Sequence, residues 1–453
     1  MKALRFTVRM LKSKINNDKY KKALSVIFNE DQIGALLKKN RARNWSNETI
    51  QRALKLRFAC GAAGYEEVLR QKVPLPSLRT LRRKLEDFQF QPGISNEMFE
   101  FLKYKKSFFN EERDIECGLV FDEMAITSRK CYNPATGSLV GDITFPGEKG
   151  IAAHALVFML VGICSRWKHI VGYHLTGNSF NSSTLREIIF QIINNTEELG
   201  FHVNFITSDM GSGNTGLWKL LGISTNRFSK IKNYIIHPFD STRYLYIIPD
   251  PPHIFKNLKQ SLLSNGILTI SDDIVLKYNL PSDKIELKHF NELINIQENS
   301  ELLLTPFKID DIKCNNFSKM KVNKAKNMFS HDISSSFELL ADNNNKQEFI
   351  STAWIVKIVC KWFSLMTPRY HKIALGKKDT NLYSENIDFL HEVINIFTTL
   401  KIGSGGFKPV QRGIMISTQS VIDLTKYLIT RRNFQYVLTS IYTGLCRKPF
   451  FSN

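Results

Sequence analysis

Three features of the sequence could do chemistry. The first is the stretch GLVFDEMAI, Gly118–Ile126, an apolar run interrupted by two adjacent acids, Asp122 and Glu123. A carboxylate inside a strand-like segment is costly to bury unless something pairs with it. The second is HVNFITSDMGSGN, an apolar run that ends in Asp209 and a glycine-rich turn. The third is the basic stretch LRTLRRKLEDF, with Arg79, Arg82, Arg83 and Lys84 on a single predicted helix. Two carboxylates brought together suit a hard divalent cation such as Mg²⁺. Without a metal they repel, and one tends to take a proton. The plainer reading of Asp122 is a strand-end acid paired to a Lys or Arg. The plainer reading of the basic helix is the solvated face of a small bundle.

The elements that position these residues follow from periodicity. Ser46 is a good N-cap for an apolar-periodic helix that runs through Phe58 and is broken at Gly61 and Gly64. A second short helix, YEEVLRQ, follows, and PLPS then opens the basic one. Three short helices with tight turns and a basic last helix predict a helix-turn-helix, with the four basic side chains as DNA contacts. From Glu116 the pattern becomes strands. They are ECGLVFDEMAI, then GIAAHALVFMLVGICSRW and HIVGYHLTG as an antiparallel meander, with Gly137 and Gly141 in the preceding loop. A helix capped by Ser182 or Ser183 and closed by Gly200 comes next. After it the chain alternates strand, helix, strand, helix, ending at RYLYIIPDPPHIFKNLKQSLLS. Three strands, then helix, strand, helix, strand, helix is an α/β pattern. An acid on its first strand and another closing its fourth is the arrangement of the ribonuclease-H-like fold. The first strand there is central and lies beside the fourth, which would bring Asp122 and Asp209 together.

Composition sets the bounds. A chain of 453 residues is too long for one compact core. A formal net charge of +20 favours an acidic partner, most simply nucleic acid. The seven Cys are scattered without a C-x-x-C pair, so they read as core thiols of a reducing compartment. No apolar run reaches the length of a membrane span, and the basic amphipathic N-terminus lacks a signal-peptide cleavage pattern. His154, His169, His174 and His253 have no metal-ligand spacing and read as structural.

In order along the chain, WSNETIQRALKLRFACGAAGYEEVLRQKVPLPSLRTLRRKL, GLVFDEM, ITSDMGSGN, DPPHIFKNLK, KMKVNKAKNMFSH and QRGIMISTQSVIDLTKYL resemble P-element-type transposases, including their relatives that carry a THAP domain. No Cys precedes Cys60, so that zinc-binding domain has no counterpart in the sequence. The resemblance implies an α/β ribonuclease-H-like core interrupted by a helical insertion and preceded by a small all-α helix-turn-helix domain. The expected divisions are a basic helical segment 1–43, the helix-turn-helix 44–95, the core 96–265, the insertion 266–413, and a C-terminal return to the core 414–453. The resemblance also implies Asp122 and Asp209 as the first two catalytic and metal-binding acids, holding Mg²⁺ for DNA cleavage and strand transfer. GTP is the family's second cofactor, with Asp250, Lys256 and Phe363 at matching positions.

Two departures matter. The family's third acid aligns with Thr439, and no Asp or Glu follows Asp423. A threonine offers a neutral oxygen and no charge, so a second metal loses most of its attraction. In WFSLMTPRYHK, Ser364 and Thr367 stand where the family has the Asp and Asn around its guanine site. The expectation is a nuclear, transposase-derived protein that binds double-stranded DNA and is impaired in cleavage. Its partners are DNA and further copies of itself, with no membrane. The alternatives are an active transposase with Glu123 replacing Thr439, and a non-enzymatic interaction scaffold.

Overall fold

The computed structural model describes residues 22–37, 44–86, 91–107, 109, 111–133, 137–165, 167–299, 303–313, 321–344, 346–376 and 379–443. Most of the basic segment 1–43 lies outside them. The chain divides into two compact units, one ending at Gln91 and including Tyr132–Ser138, the other formed by the rest.

In the first unit, α1 (Glu30–Leu37) is followed by α2 (Asn47–Arg70) and α3 (Leu78–Glu86), and α2, α3 and the turn between them form a small core of Ile50, Ala53, Tyr65, Leu75 and Leu81. Ser46 caps α2 as expected, its hydroxyl accepting from Thr49 N. Only Gly61 leaves helical geometry (φ 75°, ψ 175°), and Gly64 stays within the helix. Asp31 ties α1 to the start of α2 by accepting from Ser46 N (2.8 Å) and Thr49 Oγ1 (2.9 Å). Tyr65 Oη donates to the carbonyl of Pro76 (2.8 Å), fixing the turn before α3. On α3, Leu81 is buried while Arg79, Arg82, Arg83 and Lys84 are exposed.

The second unit is built on a seven-stranded mixed sheet. Its strands are β1 (Gly93–Ile94), β2 (Glu116–Ala125), β3 (His154–Gly162), β4 (Lys168–Thr176), β5 (His202–Ser208), β6 (Tyr234–Ile236) and β7 (Tyr244–Pro249). They lie in the order β1-β4-β3-β2-β5-β7-β6. The meander β2-β3-β4 is antiparallel, and β2, β5 and β7 run parallel. This is the expected ribonuclease-H-like layout, with β2 central and beside β5. The short strands β1 and β6 at the two edges are additions to it. Helix α4 (Asn96–Lys106) precedes β2, while α5 (Ser182–Glu198) and α6 (Ser212–Leu220) flank β5. The cap of α5 is Asn181, not a serine, accepting from Ser183 N (2.8 Å) and Thr184 N (3.4 Å).

Phe121 and Leu119 on one face of β2 pack with Ile189, Val203 and Trp218. Val120 on the other face joins Phe205 and Ile248 in a core that runs on through Phe290, Trp362, Leu390 and Val421. The helical segment after the sheet therefore shares a continuous core with it. That segment contains α7 (Pro251–Asn265), α8 (Leu287–Asn299), α9 (Val322–Met328), α10 (His331–Asn344), α11 (Glu348–Met366) and α12 (Thr380–Thr399). A three-stranded sheet, β8 (Ile267–Thr269), β9 (Lys284–Glu286) and β11 (Lys401–Ile402), brackets it. The run expected as one helix is split between α9 and α10, where Ser330 Oγ accepts from Ile333 N (3.3 Å). Helix α11 is long and apolar enough to cross a membrane, contrary to the expectation from the apolar runs, but it is mostly buried among other helices.

Helix α13 (Pro409–Arg431) then returns to the sheet. Ser420 Oγ donates to Ile247 O (2.6 Å), and Asp423 accepts from Asn233 Nδ2 (3.0 Å). Short strands β10 (Leu375–Gly376) and β12 (Tyr436–Val437) pair antiparallel. Cys117 is buried as expected, but Cys60, Cys131 and Cys164 are exposed and are not core thiols.

Two buried ionic clusters fix the N-terminal ends of the parallel strands. Glu116 accepts from His202 (2.9 Å) and Asn204 (2.7 Å) and pairs with Arg432 (3.1 Å). Glu197 accepts from Val203 N (2.7 Å) and from Arg243, and lies 3.3 Å from His237. Removing one member of such a cluster strands the remaining charge in the core.

The register of β2 on β5 carries the most consequence. Cys117 pairs with Val203, but Leu119 pairs with Ile206, so the register shifts between them. A β-bulge of this kind adds one residue on one strand. The Phe205 ring occupies the space over Gly118, where an added Cβ would lie 2.1 Å from it. We expect Gly118→Ala to destabilise the second unit by about 1–3 kcal/mol through this clash. Denaturant unfolding checks it, and an unchanged midpoint would refute the assignment.

Candidate carboxylate site and the adjoining cavity

Beyond the bulge, Val120 pairs with Thr207. Two residues further, the same offset brings Asp122 level with Asp209. Alternation along β2 puts Asp122 on the face of Val120 and Glu123 on the face of Phe121. The next strand, β7, ends in Pro249, which pairs with Ser208, so Asp250 closes the third parallel strand beside Asp209. Three carboxylates thus stand at the C-terminal ends of three adjacent strands. The motif resemblance assigns Asp250 to a nucleotide and gives no sign of its closeness to Asp122. A signal for it exists in the sequence, since an acid after the third parallel strand occupies the same edge as the other two.

The partners differ. Asp209 accepts from Gly211 N (2.9 Å) and Asn214 Nδ2 (2.6 Å). Asp250 is buried and caps α7, accepting from His253 N (3.3 Å). Asp122 accepts from Glu123 N (2.9 Å). Burial, with the charges of Asp209 and Asp250 adding to it, pushes the Asp122 carboxyl up to about 7, against the opposing pull of the Glu123 amide and Lys256. Desolvation also raises Glu123, with His154 opposing and Asp209 adding. Burial holds His253 below its ordinary value, Asp250 opposing. Lys256 therefore acts on Asp122 and His253. Of the other histidines singled out in the sequence, His154 pairs with Gly177 O (3.0 Å), His169 with Met98 O (2.8 Å) and His174 with Thr144 O (3.1 Å).

Whether this edge fits a metal depends on its donors. Asp122 and Asp209 converge, but among the described residues no three His, Cys, Asp or Glu gather into a group able to hold a metal ion. Thr439 does not complete one. It is buried in a short 3₁₀ turn, Thr439–Tyr442, and its Oγ1 donates to Leu365 O (2.7 Å). Tyr442 from the same turn packs edge-on against Phe205 (4.7 Å between centroids). Asp423, the last acid of the chain, is held by Asn233 and by Gln419 (2.9 Å). Among the described residues, the donor set for a pair of metal ions is incomplete.

A cavity of about 600 Å³ adjoins the site, with Asp250 on its wall. Phe363 lines it, stacked on Phe255 with centroids 4.0 Å apart and planes 15° from parallel. The Lys326 ammonium lies 5.6 Å from the Phe363 ring centroid. Arg369 adds a second cation to the lining, but Lys256 is not part of it. Ser364 and Thr367 line it too, and their hydroxyls donate to backbone, Ser364 to Cys360 O (3.1 Å) and Thr367 to Phe363 O (2.7 Å). An aromatic plane with two cations suits a flat anionic molecule such as a nucleotide.

The raised Asp122 carboxyl has a thermodynamic consequence. Its folded value lies above its unfolded one, so the folded state binds the extra proton. This group's stabilising effect is greatest below about pH 4 and is lost as pH rises towards 7. In chelator, Asp122→Asn should raise the unfolding free energy at pH 8 by roughly 1–3 kcal/mol and leave it nearly unchanged at pH 4. Denaturation at the two pH values measures this. An equal effect at both would show that burial and the neighbouring carboxylates do not raise the Asp122 carboxyl.

Comparison with known proteins accords with this geometry. Residues 90–222 match the family described as TNP-like, RNase H N-terminal domain. The chain is 26% identical over 430 residues to the "Transposable element P transposase" of Drosophila melanogaster, covering 92% of this chain and 52% of that protein. It thus spans about half the length of that curated relative. Its fold superposes on the "Drosophila P element transposase strand transfer complex" with a TM-score of 0.71 at 23% identity, covering 94% of this chain and 90% of that one. The resemblance carried by the motifs holds in sequence and fold alike: residues 90–222 match the TNP-like RNase H N-terminal domain, and nearly the whole chain is similar in sequence and fold to a P-element transposase.

Proposed function

We propose that this protein is a transposase-derived DNA-binding protein, acting in the nucleus, whose DNA cleavage is impaired. The observation that carries the impairment is Thr439, whose neutral hydroxyl is occupied by the Leu365 carbonyl. Two-metal phosphodiester chemistry needs enough negative oxygen to hold both ions. Glu123 does not supply the missing ligand on this reading, because it projects to the opposite face of β2. DNA binding is supported by the +20 charge and by the exposed cations of α3. The relative's own name supplies the transposon context.

The cavity beside the site we read as a nucleotide pocket without guanine selectivity. The base would lie against the exposed edge of Phe363, whose face is already stacked on Phe255, with Lys326 and Arg369 at the phosphates. Guanine is told from adenine by an acceptor for its ring N–H and amino group, and Ser364 and Thr367 offer no carboxylate. GTP and ATP should therefore bind within about threefold of each other, less than the roughly tenfold that one good hydrogen bond gives. Isothermal titration with each nucleotide tests this, and a preference for GTP beyond about 30-fold would overturn it.

Two further outcomes test the main reading. Replacing Arg79, Arg82, Arg83 and Lys84 together by Ala should weaken duplex binding and reduce the salt slope by about one for each phosphate no longer neutralised. Unchanged binding would move the interface elsewhere and favour a scaffold role. With Mg²⁺ or Mn²⁺, the chain should nick DNA no faster than its Asp122→Ala variant. Nicking that disappears in Asp122→Ala would make it an active enzyme.

A further inference from the structure

The second unit presents an aromatic side chain that its own core does not use. Phe228 is 94% exposed, at the tip of the loop between α6 and β6. The loop is held in shape from inside. Asn226 Oδ1 accepts from Phe228 N (2.8 Å), and Asn226 N donates to Ser229 Oγ (3.2 Å). Ser224 and Lys232 pair across its base through two backbone hydrogen bonds (3.1 and 2.9 Å). Arg227 anchors it to the end of α12, donating to Thr398 O (3.3 Å) and Leu400 O (3.5 Å). The ring is therefore carried on a fixed support.

A shallow depression of about 430 Å³ lies against this tip, and Phe407, from the loop before α13, also lines it. The charges on the two contributing segments have one sign. Between Leu221 and Asn233 the chain holds Arg227, Lys230 and Lys232 and no acid. From Lys401 to Arg412 it holds those two cations and Lys408, again with no acid. Lys230, Lys232 and Lys401 are exposed.

An exposed aromatic face beside phosphate-seeking cations is the arrangement that binds single strands, since every unpaired base offers a π-face and its backbone offers phosphates. A protein partner would need a broad apolar patch, whereas this is a small aromatic depression lined by Arg227, on two chain segments that carry lysines and no acid. We propose that Phe228 and Phe407 form a stacking platform for an unpaired base of a DNA strand, with the strand's phosphates running over Lys230, Lys232 and Lys401. This rests on the DNA-binding reading and adds a surface for single-stranded ends, separate from the duplex contacts assigned to α3.

The test uses the full chain and two fluorescent oligonucleotides, a blunt duplex and the same duplex with a 2-aminopurine-containing single-stranded overhang. Phe228→Ala should lose roughly 5- to 100-fold in affinity for the overhang substrate, the range of one base stack. It should leave blunt-duplex affinity and the thermal midpoint unchanged, because Phe228 supports nothing in the fold. Phe228→Trp should restore binding and the quenching of 2-aminopurine. Overhang affinity unchanged in Phe228→Ala, while the wild type binds the blunt duplex, overturns the platform alone. A wild-type chain that binds neither oligonucleotide overturns the DNA-binding reading and the platform with it. If Phe228→Ala instead breaks up a self-associated form without altering overhang affinity, the tip is a contact between copies and the platform is refuted.

Discussion

The pairing of β2 with β5 is the constraint on which the rest of the second unit depends. Side chains alternate along a strand, so a slip of one residue sends every group to the wrong face. Without the shift between Cys117 and Leu119, the partner of Asp122 would be Ser208 and not Asp209. The bulge supplies the missing residue, and Gly118 supplies the room that the Phe205 ring needs. The opposite end of the strand pair is pinned by Glu116, which reaches His202 and Asn204 across the pairing. A carboxylate edge that looks like a local feature is thus set by a glycine, a phenylalanine and a buried ion cluster farther down the same strands.

Much of this is legible in the sequence. The meander, the parallel strands and the helices between them carry long apolar runs with clear stops, and Asp122 and Asp209 sit where those runs end. What is not legible has physical causes. The edge strands β1 and β6 and the small sheet of β8, β9 and β11 are too short for periodicity to register. The break between α9 and α10 carries no glycine or proline, and Ser330 caps the new helix from within a helix-like stretch. Helix α11 is apolar over most of its surface because that surface packs in the core, while Lys357, Lys361 and Ser364 keep a narrow exposed side. The bulge leaves no mark in composition, because it depends on which ring fills the space over Gly118.

The candidate site shows the same division. Sequence spacing points to two acids, and the fold adds Asp250 as a neighbour that raises the Asp122 carboxyl further. Thr439 is held inside the fold by the Leu365 carbonyl, and its turn is anchored by Tyr442 against the ring that makes the bulge. That short turn is therefore packed into the core.

The return of α13 to the sheet bears on how the chain comes to be folded. The sheet's strands are complete at Pro249, yet the helix that donates Ser420 to Ile247 and fixes Asn233 through Asp423 is made only after the whole helical segment. On a ribosome, one face of the finished strands must wait with Val120 and Ile248 uncovered while that segment emerges. Pairings of such long sequence separation form slowly, and exposed apolar strand faces invite aggregation in the meantime.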